Sequence, residues 1–313
     1  MTMENEIDVS FVMTVYNKEY YLPAVLEALL NQTGLKNPEF IFVDDKSKDR
    51  SVEIIREKTK GIKNVTIVAK EVNEGISVTI NQGLVLSRGK WVRMLDSDDI
   101  LPIDSTYKMI ALADIHKADM VYGQFKKTGL EPMELVSWTM PGGPSYVYKE
   151  DALDAVLHGR FTRMGQLIKG EVLKKSGGAD ERVFIQDESI PLRAARIGHG
   201  IIKIFSEVVL VPKETNNLSK NTKQLDNDRF FAHYNMLLDY CDCLDDKTLK
   251  TIYEKALSAN WKYVKKNMKH PYLTDDFKRY IQAKLFMVKP DFAFLEKAAK
   301  RFYSLSGVLR TKI

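Results

Sequence analysis

The sequence predicts an α/β fold in which a mixed sheet is flanked by helices and is followed by an α-helical C-terminal extension. Short apolar runs alternate with helical patterns over the first 125 residues, as is typical of a parallel sheet with crossover helices. Polar residues directly follow three of the predicted strands. From Arg229 onward, helical periodicity dominates the chain.

Apolar spacing and residue type predict each element in turn. Short apolar runs rich in β-branched residues predict strands at Val9–Thr14, Phe40–Val43, Val65–Val68, Trp91–Leu95, Met120–Tyr122, Ile201–Phe205 and Val208–Val211. Apolar residues that recur every three or four positions predict helices at Leu22–Leu30, Val52–Lys58, Ile76–Leu86, Thr106–His116, Ala152–Leu157, Glu171–Lys175 and Asp187–Ile197. In the last of these, Pro191 falls in the first turn, where proline is tolerated.

Two stretches favour irregular structure. Residues from Glu131 to Pro144 contain proline and glycine and show no periodicity. Thr215–Asp228 is polar, holds four asparagines and predicts a loop or lid.

The composition excludes several classes of protein. Hydrophobic residues make up 44% and charged residues 28%, which argues against a disordered or fibrous chain. No apolar run approaches the ~18 residues that a membrane-spanning helix needs. Cys241 and Cys243 are the only cysteines and form neither a disulfide framework nor a zinc site. Because Met1–Glu6 is polar and acidic, we expect no secretory signal and a cytoplasmic location.

The net charge of +5 is unevenly distributed. From Lys247 to Ile313, 16 Lys and Arg face 5 Asp and Glu, a net charge of +11, whereas the preceding part carries −6. This basic region has three interpretations: a helical appendage packed on the first part, an amphipathic helix from Phe294 to Arg310 on an anionic membrane surface, or a nucleic-acid-binding region. Because no recognised module accompanies the charge, no nucleic acid partner is expected. These helices could also form a homo-oligomer contact.

The sharpest chemical feature is the run Asp96-Ser97-Asp98-Asp99 directly after a predicted strand. Its three carboxylates repel one another, and a cation would neutralise them. Carboxylate oxygens suit Mg²⁺ or Mn²⁺. The alternative is a capped turn, since Asp and Ser often begin helices. Thr14–Asn17 and Asp44-Asp45 also follow strands, and open α/β sheets bind ligands outside such strand ends.

Four sequence blocks together resemble family 2 glycosyltransferases in order and spacing: Val9–Asn17, Phe42–Asp49, Asn73–Gly75 with Asn81–Gly83, and Leu95–Asp99. A later block, Gln186-Asp187-Glu188 with Arg193, resembles the family's acidic segment and downstream arginine. The resemblance covers Ile7 to Ser219 and implies the A-type glycosyltransferase fold, with a Rossmann-like nucleotide-binding sheet. It divides the chain into a catalytic domain over 1–222, made of a nucleotide-sugar-binding half over 1–125 and an acceptor half over 126–222, and a basic helical region over 223–313.

The resemblance also implies roles on the donor side. Thr14 and Tyr16 would line the nucleobase pocket, the tyrosine by stacking. Asp45 would accept a hydrogen bond from uracil N3, and Asn81 would hold the donor loop. The motif at Asp96-Ser97-Asp98 would bind the nucleotide sugar, with Asp96 at the ribose or the water shell of the metal and Asp98 on the metal, Mn²⁺ or Mg²⁺.

On the acceptor side, the resemblance makes Asp187 the general base, which takes the proton of the acceptor hydroxyl. Arg193 would pair with an acid or reach a phosphate. Two departures from the family pattern stand out. Gln186 occupies the place of the usual glutamate, and the segment Ser77–Asn81 lacks the arginine that many members direct at the diphosphate.

The predicted function is metal-dependent, inverting transfer of a sugar from a nucleotide sugar, UDP-linked, to a hydroxyl of a glycan or lipid-linked acceptor. The family context implies synthesis of a bacterial surface polysaccharide, such as lipopolysaccharide, capsule or teichoic acid, at the inner face of the cell membrane. Two alternatives stay open: a non-catalytic nucleotide-sugar-binding or scaffolding protein, and a nucleotidyltransferase. The latter usually carries a Gly-rich basic loop after its first strand, which Thr14–Glu19 does not resemble.

Overall fold

The computed structural model describes residues 6–159, 165–213, 221–285 and 287–309. Their strands are β1 (Val9–Val15), β2 (Glu39–Asp44), β3 (Val65–Ala69), β4 (Trp91–Asp96), β5 (Met120–Lys127), β6 (Tyr146–Lys149), β7 (Gln166–Lys169) and β8 (Ile201–Val211). The helices are α1 (Leu22–Leu30), α2 (Ser51–Lys58), α3 (Ile76–Leu86), α4 (Ser105–His116), α5 (Ala152–His158), α6 (Gly170–Ser176), α7 (Gln186–Ala195), α8 (Thr222–Tyr240), α9 (Asp246–Asn267), α10 (Asp275–Lys284) and α11 (Phe292–Tyr303).

The strands form one mixed sheet in the order β3-β2-β1-β4-β7-β5-β8-β6. Strands β1 to β4 run parallel, whereas β7 is antiparallel to both β4 and β5, and β6 is antiparallel to β8. The parallel strands end at one edge, where Thr14 lies between Val43 of β2 and Asp96 of β4. The predicted α/β architecture is therefore confirmed, and its three polar strand ends meet at one edge of the sheet.

Three element predictions need correction. The two strands predicted at Ile201–Phe205 and Val208–Val211 are one strand, β8, in which Glu207 pairs with Gln124 of β5 between two shifts of the pairing register. The short strands β6 and β7, of four residues each, were not predicted. The predicted loop Thr215–Asp228 is helical from Thr222, where the Asn221 side chain accepts from Gln224 N. The proposed lid residues Asn216–Ser219 lie outside the described residues.

Alternating side chains of the sheet enter two separate cores. Phe11 of β1 packs into the core that includes Leu26 of α1 and Met109 of α4. Its neighbour Val12 packs on the opposite face, in the core that includes Ile80 of α3 and helix α7. This period of two is the geometry of a strand covered on both faces. The site at the strand ends is therefore held by a sheet that is anchored on both sides.

The C-terminal helices form a third core. Phe230 of α8 stacks on Phe302 of α11 with ring centroids 4.6 Å apart, and Leu295 and Phe302 are fully buried. The apolar face that the amphipathic-helix interpretation assigned to a membrane is thus packed against α8 and α9. This favours the packed-appendage interpretation of the basic region. In the described part of the chain, no helix has the length and apolar character needed to cross a membrane.

Candidate active site

The acid cluster, Asp96, Asp98 and Asp99, lies at the end of β4, at the edge of the sheet where the parallel strands end. Asp96 is the last residue of the strand and is half-buried, while Ser97 and Asp99 are buried. The backbone folds back at once, with Asp99 N donating to Asp96 O at 3.1 Å. Asp98 forms an ion pair with the ammonium group of Lys18, which follows β1. The tight turn therefore holds three carboxylates beside one cation.

Electrostatic repulsion within the cluster is visible in its pKa values. Burial, together with the charge of Asp98, raises the pKa of Asp96 to about 6, against the opposing effect of Lys18. Burial also raises the pKa of Asp99 well above its ordinary value, and the charges of Asp96, Asp98 and Asp187 add to the increase. Lys18 therefore does not fully compensate the negative charge of this site.

Asp187 approaches the same acids from the other half of the sheet. It lies in the first turn of α7, and its carboxylate accepts a hydrogen bond from Gln166 Nε2 at 3.2 Å. Its charge acts on Asp99 and also on Tyr122, whose pKa is raised by burial and by Asp187. A single cleft is lined by Asp96, Asp99, Gln166, Gln186 and Asp187, among others. The structure thus brings Asp187, the predicted base, together with Asp96 and Asp99, whereas Asp98 does not line this cleft.

Asp45 lies at the neighbouring strand end and is held by a dense set of donors. Its carboxylate accepts from Lys70 Nζ at 2.8 Å and from the backbone N–H groups of Glu74 and Gly75 at 2.9 Å each. Asn73 Nδ2 donates to the Asp45 carbonyl at 2.9 Å. A carboxylate offers about four acceptor positions, so these three bonds leave room for one more. The predicted contact with uracil N3 stays a prediction.

Thr14 and Tyr16 flank this corner. Thr14 is buried, whereas the side chain of Tyr16 is 46% exposed at the end of β1. The next residue, Asn17, has a positive φ of 53° and ties the loops after β1 and β2 together, since its N–H donates to Ser47 Oγ and its side chain accepts from Lys48 N. An exposed ring beside this fixed corner is available to stack on a planar base.

Asn81 and Arg193 are among the predicted site residues that do not line this cleft. Asn81 donates to Ala179 O at 3.0 Å and to Glu181 Oε1 at 2.9 Å, so it holds the loop between α6 and α7. Arg193 donates to Gly178 O at 3.0 Å and lies 3.8 Å from the Asp239 carboxylate of α8. Of the two roles open to Arg193, the structure shows pairing with an acid.

Sequence reasoning missed three residues around the site: Lys18, Lys70 and Gln166. Lys18 and Lys70 follow β1 and β3 at the same edge as the acids, so their position after predicted strands was the available signal. Gln166 begins β7, a strand that was not predicted. No local pattern marks it, because its relation to Asp187 arises only when β7 inserts between β4 and β5.

The cluster fits a divalent cation that arrives with a phosphorylated ligand. The described residues contain no group of three or more His, Cys, Asp or Glu arranged to hold a metal unaided. Mg²⁺ and related ions, however, are often bound by one or two carboxylates and substrate phosphates. Asp96 and Asp98 supply two hard oxygen donors, and the charge of Asp98 adds to the effect of burial in raising the pKa of Asp96. These residues therefore fit Mn²⁺ or Mg²⁺.

Comparison with known proteins agrees with this geometry. Residues 10–162 match the model of Glycosyl transferase family 2. The minor teichoic acid biosynthesis protein GgaB of Bacillus subtilis is 34% identical over 114 residues, 36% of this chain and 13% of the relative. The poly(ribitol-phosphate) beta-glucosyltransferase of Bacillus spizizenii is 31% identical over 120 residues, 38% of this chain and 19% of the relative. The matches to these two relatives thus span less than a fifth of their lengths.

Solved structures share the fold over nearly the whole chain. TarS 1–349 of S. aureus in complex with UDP-GlcNAc superposes with a TM-score of 0.67 at 17% identity, covering 95% of this chain and 89% of that one. A mannosyltransferase from Pyrobaculum calidifontis in complex with GDP-Man and Mn²⁺ gives a TM-score of 0.55 at 12% identity, covering 96% and 88%. Residues 10–162 therefore match the family that the four sequence blocks predict, and the chain shares the A-type glycosyltransferase fold of these solved structures.

Proposed function

We propose that this protein is a metal-dependent, inverting glycosyltransferase that transfers a sugar from a UDP-linked donor to a hydroxyl group of a cell-surface polymer. The observation that carries the proposal is the shared cleft, in which Asp96 and Asp99 of the acid cluster meet Asp187 of α7. Displacement of a diphosphate by a hydroxyl group requires a general base for the hydroxyl and a cation for the leaving group, and both can be held at this cleft.

In the proposed reaction, the acceptor oxygen attacks the anomeric carbon while its proton passes to a carboxylate oxygen of Asp187. The bond between the anomeric carbon and the diphosphate oxygen breaks, and the electron pair leaves with the diphosphate. Asp96 and Asp98 would hold the divalent ion, which supplies positive charge to the leaving group when bound. Gln166 Nε2, at 3.2 Å, fixes the orientation of Asp187.

The donor nucleotide is proposed to be uridine-based. The carboxylate of Asp45 has capacity for a further donor, and the exposed ring of Tyr16 lies at the same corner of the sheet. The complex of TarS with UDP-GlcNAc supports the same class of donor on this fold. The diphosphate contact that an arginine provides in many family members is absent from Ser77–Asn81, and Lys18 is a cation that pairs directly with Asp98, a proposed metal ligand.

The proposed acceptor is an anionic polyol-phosphate polymer of the teichoic acid type. Two relatives carry teichoic acid or poly(ribitol-phosphate) in their names. The net charge of +11 from Lys247 to Ile313 suits a polyanion. Transfer to poly(ribitol phosphate), compared with a neutral glycan of similar length, distinguishes this acceptor from uncharged ones.

The test is a binding and turnover screen of UDP-, GDP-, CMP- and dTDP-sugars with and without Mn²⁺. We expect binding and slow hydrolysis of a UDP-sugar that requires Mn²⁺. Asp98→Asn should lose the hydrolysis that requires Mn²⁺, and Asp187→Asn should lose turnover by about 10²-fold or more while retaining UDP affinity. Asp114→Asn, at an exposed acid paired with Lys90, is the control. Binding of UDP without turnover in any condition would instead support a non-catalytic binding protein.

A further inference from the structure

Helix α8 is hydrogen-bonded to the segment that directly precedes Asp187. The carboxylate of Asp228 is almost completely buried and accepts from the backbone N–H of Ile185 at 2.9 Å and from that of Phe184. Ile185 is the N-cap residue of α7, directly before its first residue and two positions before Asp187. The first N–H groups of a helix have no partner within the helix, so an external acceptor is needed to fix them. Asp228 provides that acceptor from a different helix.

Asp228 itself is held rigidly. Gln224 Nε2 donates to both of its carboxylate oxygens, at 3.0 and 2.9 Å, and Asn227 Nδ2 donates at 2.8 Å. Gln224 in turn bonds to the backbone of Leu309, accepting from its N–H at 2.6 Å and donating to its carbonyl at 3.1 Å. Because the bonds from Gln224 and Asn227 fix both carboxylate oxygens of Asp228, this side chain has little freedom to follow a displaced α7.

Further contacts from α8 reach the same part of the chain. Arg229 Nε lies 3.2 Å from the buried carboxylate of Glu188, which directly follows Asp187. Asn235 Nδ2 donates to Asp180 at 2.8 Å in the loop before α7. Asp228 is nevertheless distinct, because it acts on the backbone where α7 begins rather than on a side chain.

We propose that Asp228 is a positioning residue for the reaction: through the backbone N–H groups of Phe184 and Ile185 it sets the place of Asp187 in the cleft. This inference rests on the proposed function, in which Asp187 is the base. It assigns the C-terminal helical region a part in catalysis beyond that of an appendage. A displacement of about 1 Å at a catalytic group can reduce turnover by about 10²-fold.

The test compares variants of the full-length protein at two acids of the same helix. Asp228→Ala removes the acceptor for α7, and Asp228→Asn keeps one acceptor oxygen. Asp226→Ala is the matched control, because Asp226 is also buried but binds Lys266 of α9 at 2.8 Å instead of α7. Hydrolysis of UDP-glucose and UDP-GlcNAc with Mn²⁺ gives kcat and KM, calorimetry gives UDP affinity, and hydrogen exchange reports on the amides of Phe184 and Ile185.

We expect kcat to fall about 10- to 100-fold in Asp228→Ala, with donor KM and UDP affinity within about twofold of wild type. Asp228→Asn should restore part of kcat. Exchange at Phe184 and Ile185 should accelerate in Asp228→Ala but not in Asp226→Ala. An equal loss of kcat in Asp226→Ala would overturn the proposal, since general weakening of α8 would then explain the effect. Unchanged exchange or unchanged kcat in Asp228→Ala would also overturn it.

The proposed function can fail separately. If the wild-type protein turns over no donor, or if Asp187→Asn is as active as wild type, the assignment of the base is wrong. The exchange measurement needs no substrate, so it still decides whether Asp228 holds the backbone where α7 begins.

Discussion

The buried pair of Asp45 and Lys70 gives the most direct test of how the strand-end edge is built. Both side chains are nearly inaccessible, at 7% and 5% exposure, and lie 2.8 Å apart. Asp45 also accepts from two backbone N–H groups, those of Glu74 and Gly75. Replacing Asp45 by alanine removes all three acceptor contacts and leaves the ammonium group of Lys70 buried.

The expected loss follows from the partners that remain. Removing one member of a buried ion pair costs about 3–5 kcal/mol when the other charge has no compensation. Lys70 retains Glu74 at 2.9 Å, but that carboxylate is 42% exposed, and Thr79 Oγ1 at 3.1 Å is neutral. We therefore expect Asp45→Ala to lower the free energy of unfolding by about 3 kcal/mol, toward the lower end of that range.

The assay is urea unfolding at pH 7 of Asp45→Ala, Lys70→Met and the double variant. Because the double variant leaves neither charge buried alone, its loss should be at least about 1 kcal/mol smaller than the sum of the single losses. UDP affinity should fall in Asp45→Ala and survive in Lys70→Met, which keeps the carboxylate. A loss below about 1 kcal/mol in Asp45→Ala, or strictly additive losses, would refute the reasoning.

Two further predictions concern packing, and one concerns the acid cluster. A Cβ at Gly83 would lie 2.4 Å from Val12 Cγ1, so Gly83→Ala should cost about 1–3 kcal/mol in urea unfolding, whereas Gly142→Ala, in open space, should cost less than about 0.5. Phe302→Ala should cost about 3–5 kcal/mol in the same assay, because its ring is fully buried on Phe230; Leu273→Ala, 87% exposed, is the control. Lys18→Met removes the cation beside Asp98, so calorimetry should show tighter Mn²⁺ binding in the absence of nucleotide; weaker binding would contradict this account.

The donor side of the fold was readable from sequence because its determinants are local. Each strand of β1 to β4 is mostly apolar, and the polar residues of the site follow within a few positions. Parallel pairing then brings those ends to one edge without further information. The structure confirms this arrangement of the strand ends.

What could not be predicted depends on contacts between distant parts of the chain. The four-residue strands β6 and β7 have no periodicity of their own. They form because β6 pairs with β8, and β7 pairs with β4 and β5. Lys70 could not be assigned to Asp45 from sequence, since the pair closes across 25 positions. Asp228 lies in a polar stretch that predicted a loop. The polar side chains there instead form buried hydrogen bonds within α8 and with the backbone at the start of α7.

The two sides of the cleft are therefore held by different kinds of structure. The acids after β4 are fixed by a sheet whose neighbours are near in sequence, and the matched family region, residues 10–162, contains all of them. Asp187 lies beyond that region, in a ten-residue helix that the sheet does not hold alone. Its N-terminus is held by Asp228, 43 positions later than Ile185, and α8 is in turn packed against α9 and α11. The C-terminal core thus supports the acceptor side of the cleft in the way that the sheet supports the donor side, and a change there can alter turnover without touching the nucleotide.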